Sequence, residues 1–271
     1  MAIFFLFLVA LAAGILSALF WIPEDDLGRG YFQTNALVVL GLLGLAAAVV
    51  ALGGSAPFGG APELGRGALF AALAGAFGYY AAIWRERWRA ARFAAAATLA
   101  AGGLALWLAG HALVRPLVAL PFHASLLAAS LATSALLLGW SLVTMLLGHW
   151  YLIAPKLSFR HLTIFCWALL AIVVSRCVTV GLALVTAGAV DHLVEPNPWR
   201  SLTGFAGQGM FFWFRILWGL GIPLALGLMS LHCARRRSNQ SATGILYVLV
   251  VGALVGEITA YYLSATTGVP V

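Results

Sequence analysis

Arg176, Arg215 and Glu257 each stand deep inside a long apolar stretch of the chain, where a formal charge has no water to lean on. Placing such a charge at the middle of a bilayer costs about 2.5–3.5 kcal/mol, so ionisable residues there face other helices and find partners. Counted at a rise of about 1.5 Å per residue from helix ends near Arg160, His232 and Thr243, the three lie about 24, 26 and 21 Å in. Three consecutive helices therefore bring their deep charges to nearly one level. One carboxylate neutralises one guanidinium, and the surplus guanidinium wants an acceptor. A planar guanidinium suits carbonyl and carboxylate oxygens because it can donate parallel hydrogen bonds. The acceptors to expect are a quinone carbonyl, a haem propionate, a lipid phosphate or a carboxylate substrate.

Spacing by three and four residues adds neighbours to this set. Gln208 and Trp218 share a helix face with Arg215, and Tyr261 shares one with Glu257. The expected ligand-binding residues are thus Arg176, Arg215, Glu257, Trp218, Tyr261 and Gln208, with Phe214, Trp218 and Tyr261 offering rings to a flat ligand. The competing expectation is structural: Glu257 pairs with one arginine to set helix register, while the other arginine snorkels outward. Gly252 and Gly256 form a small-x-x-x-small edge suited to close helix packing.

Histidines mark the helix ends. His149, His161 and His232 fall at one end of the fifth, sixth and seventh helices, where they could ligate haem b or another metal, and His111 with His123 makes a second pair at the opposite end. No C-x-x-C-H motif is present, which excludes covalently attached haem. His192 lies in a loop. Cys166, Cys177 and Cys233 form no C-x-x-C pair, so neither a disulfide framework nor a zinc site is indicated. The fifth helix carries Ser130, Thr133, Ser134, Ser141 and Thr144, hydroxyls expected to bond across a helix interface or to their own carbonyls.

The elements that position these residues follow from composition. Of 271 residues, 63% are hydrophobic and 8% charged, and the mean hydropathy is +1.02. Soluble domains carry about 25% charged residues, so a soluble enzyme, a disordered chain and a nucleic-acid-binding domain are all excluded. A helix needs about 20 mostly apolar residues to cross a bilayer. The chain offers eight such stretches, near 3–21, 35–53, 67–84, 93–113, 124–147, 162–186, 205–231 and 243–263. The fold class expected is all-α, a polytopic helical bundle forming one transmembrane domain over residues 1–271. The first stretch has no basic leader and exceeds a secretory h-region, so it reads as a retained helix.

Arg29, Arg85, Arg87, Arg89, Arg92, Lys156, Arg160, Arg235, Arg236 and Arg237 fall in loops on one side, and Arg66, Arg115 and Arg200 on the other. Basic residues accumulate in cytoplasmic loops, which puts the first set inside and both termini outside. The two halves show no internal repeat of the kind inverted-repeat transporters carry. The run Gly219–Pro223 is one place where the seventh helix could break.

Three functions fit. The first is an integral membrane subunit of a redox or electron-transfer complex, binding quinone or haem b and docking other subunits. The layout resembles, in architecture alone, membrane anchor subunits that interact with quinol. Catalysis on a water-soluble substrate would then belong to a partner or take place within the membrane. The second is a carrier for a small anion or a lipid. The third is a structural or assembly protein whose buried charges lock helix register. Membrane lipids are partners in every case, nucleic acid in none, and the Ala/Gly/Leu-rich composition suggests a bacterial inner membrane.

Overall fold

A segment surrounded by hydrocarbon must satisfy its backbone N–H and C=O groups internally, so long apolar stretches fold as helices. The computed structural model describes residues 1–53, 56–114, 123–153, 160–189 and 198–271. It places helices at α1 (Ala2–Leu19), α2 (Glu24–Gly53), α3 (Pro62–Trp84), α4 (Trp88–Leu113), α5 (His123–Ile153), α6 (Arg160–Ala189), α7 (Pro198–Thr203), α8 (Gln208–Arg235) and α9 (Asn239–Thr267). A short 3₁₀ turn, Ala56–Phe58, lies between α2 and α3. The described residues contain no strand. All but the six-residue α7 are long and apolar enough to cross a membrane, so the chain is a multi-pass helical bundle.

The eight spans agree with the expected stretches and differ at their ends. The apolar part of α2 begins at Leu27, earlier than the expected residue 35, with a kink one residue further on at Gly28. The described part of α5 continues to Ile153, past the expected residue 147. Apolarity marks only the part of a helix within hydrocarbon, whereas backbone hydrogen bonding continues into the interface. There Tyr31 and Trp150 meet edge to face at 5.6 Å, and the Tyr31 hydroxyl donates to the Val143 carbonyl. Lys156, Arg115 and His192 lie outside the described residues.

The bundle is organised around α1 and α5. Helix α1 packs against α2, α4 and α5, and α5 also meets α4, α6 and α9. The α1/α5 crossing is a backbone-to-backbone contact: a Cβ added at Gly14 would collide with the Ala135 carbonyl, and one at Gly139 with Gly14 itself. Helices α3 and α4 pair as a hairpin. At one end of the molecule Arg92 holds Glu24 at 2.6 Å and Arg29 holds Glu86 at 3.0 Å, with Arg29 also resting on the Trp84 ring. These contacts put the α1–α2 and α3–α4 turns at the same end. Being exposed, they contribute about 0–1 kcal/mol each.

Candidate functional site: an intramembrane charge cluster

Arg176, Arg215 and Glu257 meet in the interior of the α6–α8–α9 side of the bundle, with relative exposures of 1%, 0% and 0%. Arg176 grips Glu257 side-on, Nε donating to Oε1 at 3.1 Å and Nη2 to Oε2 at 2.8 Å. Arg215 adds a third bond, Nη2 to Oε1 at 2.9 Å. The single carboxylate therefore bridges two guanidinium groups on different helices.

Further acceptors complete Arg176. Its Nη1 donates to the Ser130 hydroxyl at 2.8 Å and the Ser130 carbonyl at 3.2 Å, both on α5. Its Nη2 also reaches the Val271 carbonyl at 3.2 Å. Val271 comes back to the cluster because Gly268 ends α9 in the left-handed region (φ 70°), a conformation that costs glycine nothing. The returning Val269 and Val271 pack with Val180, Ala183, Leu202, Phe212, Leu220 and Leu263 into an apolar layer beside the charges. Arg215 is less well served. Its Nε and Nη1 are buried and have no hydrogen-bond acceptor among the described residues, an omission worth about 1–3 kcal/mol per neutral group and more for a charged one.

The close meeting of α8 and α9 has a sequence cause. A Cβ on Gly256 would run into Gly219, and one on Gly219 would fall 2.7 Å from the Gly256 Cα and 2.9 Å from Arg215 Nη1. Arg215–Gly221 is wound as a π-helix, and the Ile222 N–H donates to the carbonyl of Leu217, five residues back. Pro223 follows it and has no N–H to give the preceding turn. The expected break at Gly219–Pro223 is thus corrected: the backbone widens by one residue per bond and α8 runs on through it. Such π turns are frequent at functional sites.

Of the six residues expected to bind a ligand, the structure brings four together. Arg176 and Arg215 both donate to Glu257, and the buried Tyr261 shares a 2.7 Å hydrogen bond with the Ser134 hydroxyl on α5. Trp218 and Gln208 lie apart from the three charges. Trp218 is 41% exposed and lies against the equally outward Phe214, with ring centroids 6.0 Å apart. Spacing by three from Arg215 holds for an α-helix, whereas the π winding changes the angle between them. Gln208 opens α8, about 10 Å of helix from Arg215. Sequence reasoning also missed the Val271 carbonyl, because no periodicity signals a segment that folds back.

The hydroxyl stripe of α5 divides as its chemistry predicts. Ser130, Thr133 and Ser134 face Arg176, Thr179 and Tyr261 across helix interfaces, while Ser141 and Thr144 return to the carbonyls of Leu138 and Trp140. Tyr261→Phe is expected to cost about 0.5–1.5 kcal/mol, read by thermal unfolding. An unchanged midpoint would show that Ser134 turns to a backbone carbonyl at no net loss.

No group of three His, Cys, Asp or Glu among the described residues is placed to hold a metal, so His149, His161 and His232 form no three-ligand set. His149 is exposed and its Nδ1 faces the Tyr247 hydroxyl at 3.3 Å. Helices α5 and α9 are tied there by a polar contact at the bundle's end. His123 approaches the Val114 carbonyl at 3.4 Å, joining the start of α5 to the end of α4.

Among the described residues, apolar grooves flank the core. One of about 410 Å³ lies between α1, α4 and α5, floored by Gly14, Leu106 and Ala135. Another, of about 310 Å³, runs between α6 and α8 and is lined by Cys177, Gly181, Leu184, Ile216, Leu220, Gly221 and Leu224. Chemically, the cluster can hold three helices in register and can donate hydrogen bonds from Arg215. Compared with family models, with curated proteins and with solved structures, the chain has no match.

Proposed function

We propose that the chain is an integral membrane scaffold, an assembly protein whose Arg176–Glu257–Arg215 cluster keys α6, α8 and α9 together. The observation that carries this reading is the double use of Glu257: both its oxygens are taken by arginines, and the whole cluster is sealed from outside. A buried ion network is often less stabilising than packed apolar residues of the same volume, and its best-attested use is to specify one arrangement over others. The membrane is a bacterial cytoplasmic one, on composition, with both termini outside, on the distribution of arginine between loops.

A second reading is favoured by Arg215. Its two donors, which have no acceptor among the described residues, suit a subunit of a redox complex, in which a quinone carbonyl or a haem propionate completes the guanidinium.

The triple variant Arg176→Met, Arg215→Met, Glu257→Met tests the first reading against the second. As a scaffold device the cluster can be replaced by apolar side chains with stability kept or raised. The variant is then expected to unfold at or above the parental temperature and to copurify with fewer or misplaced partner subunits. A variant that folds and assembles normally but abolishes quinol-dependent electron transfer would sink the scaffold reading and leave the redox one.

A further inference from the structure

We infer that Arg235 and Arg236, beside Trp167, form a headgroup site for an anionic phospholipid at the basic end of the bundle. Both arginines are exposed at the close of α8, and neither meets a carboxylate among the described residues. Contacts across the bundle put this point at the same end as the α1–α2 and α3–α4 turns. The Tyr247 hydroxyl near the start of α9 reaches His149 on α5, and the neighbouring Trp150 meets Tyr31 on α2. Charge at this end is divided unevenly. Residues 24–29 and 85–92 hold five arginines and four acidic residues, among them the ion pairs Arg92–Glu24 and Arg29–Glu86. Residues 156–160 and 235–237 hold five basic residues and no acidic one. Orientation by basic loops depends only on the total; it does not require acidic residues to be kept from one half. Three consecutive arginines without a counter-charge repel one another, so the compensating negative charge comes from outside the chain.

The placement of Arg235 selects lipid as its source. The guanidinium lies over the Trp167 ring, 5.0 Å from the centroid, in a cation–π contact. Trp167 is 50% exposed and stands about 10 Å along α6 from Arg160, at the interfacial level that tryptophan favours. Arg235 therefore turns back toward the headgroup layer instead of out to water, where an acidic protein would approach. Arg236 follows it, its N–H closing α8 on the His232 carbonyl at 3.2 Å. Arg237 holds φ 60°, in the left-handed region that favours glycine, so a third arginine is kept where glycine would cost less. A guanidinium donates parallel hydrogen bonds to phosphate oxygens. Phosphatidylcholine carries its own ammonium and cancels no surplus, whereas phosphatidylglycerol brings net negative charge. Basic residues beside the ends of spans attract anionic lipid by about fivefold each. The site is independent of whether the Arg176–Glu257–Arg215 cluster serves a scaffold.

Native mass spectrometry of the full chain, released from micelles holding dioleoyl phosphatidylglycerol or dioleoyl phosphatidylcholine, counts the lipids retained at each concentration. Phosphatidylglycerol is expected to bind at least about tenfold more tightly than phosphatidylcholine. The variant Arg235→Gln, Arg236→Gln, Arg237→Gly is expected to weaken phosphatidylglycerol on the order of 100-fold, three arginines at about fivefold each. All three side chains are exposed and glycine suits the backbone at 237, so the unfolding temperature should be kept. Should the triple variant unfold, Arg236→Gln alone is expected to lose about fivefold. Arg85→Gln, Arg87→Gln, Arg89→Gln removes as much charge from the other half. It is expected to change affinity about threefold or less, because salt screens charges more than about 8 Å apart. Equal retention of the two lipids, or equal loss in the two triple variants, would overturn the site. Inorganic phosphate that displaces phosphatidylglycerol at equal concentration would overturn the lipid in favour of a free anion. An unchanged lipid preference in the Arg235 variant, with loss of an acidic protein that copurifies with the parent, would assign the arginines to a protein partner and sink the proposal.

Discussion

Glu257→Gln is expected to destabilise the protein by about 3–5 kcal/mol, the cost of breaking a buried ion pair by removing one partner. Glu257 receives bonds from Arg176 Nε and Nη2 and from Arg215 Nη2 and is wholly buried. Glutamine keeps the shape, yet it turns one acceptor oxygen into an NH₂ that faces a guanidinium donor. It also leaves two positive charges without a counter-charge. Glu257→Asp retains the charge on a stem shorter by one methylene, so its loss should be clearly smaller. Denaturant or thermal unfolding in lipid nanodiscs measures both. If Gln and Asp fall together, geometry and not charge holds the cluster, and the electrostatic account fails.

Substitution at the α1/α5 crossing should do more damage still. With Gly139→Leu the new side chain starts where the α1 backbone at Gly14 and Ile15 already lies, and no rotamer relieves that. Overpacking of a side-chain-lined core typically costs about 1–3 kcal/mol. A collision with backbone instead forces the two helices apart, and with them α2, α4, α6 and α9, which pack on this pair. The expected result is loss of monodisperse protein on extraction, against normal recovery of Gly44→Leu, whose added Cβ meets nothing within 4 Å. Equal recovery of the two variants would refute the central position assigned to this crossing. The same logic makes Gly256 sensitive, since its Cβ position is occupied by Gly219.

How far these features could be read from residues alone depends on the range of the interaction. Eight helices follow from apolar length, because hydrocarbon leaves a spanning segment few alternatives. The matched depth of Arg176, Arg215 and Glu257 is also a count along the chain, and their meeting follows from the cost of leaving any of them in lipid. The position of Trp218 relative to Arg215 was not legible, because a helical wheel presumes α geometry and the π turn at Arg215–Gly221 departs from it. The hydroxyls of α5 were visible as a stripe, but not which of them would meet Arg176 or Tyr261.

Composition and spacing were sufficient for the membrane class, the number of spans, and the three charges that had to find one another. Folding in three dimensions was needed to assign partners: Glu257 shared between two arginines, Ser130 and the Val271 carbonyl completing Arg176, and Arg215 left with donors to spare. The physical reason is that hydrophobic length is a local property summed along one segment. Hydrogen-bond satisfaction depends instead on atoms brought within about 3 Å from helices far apart in the chain, at crossings that glycines such as Gly219 and Gly256 permit.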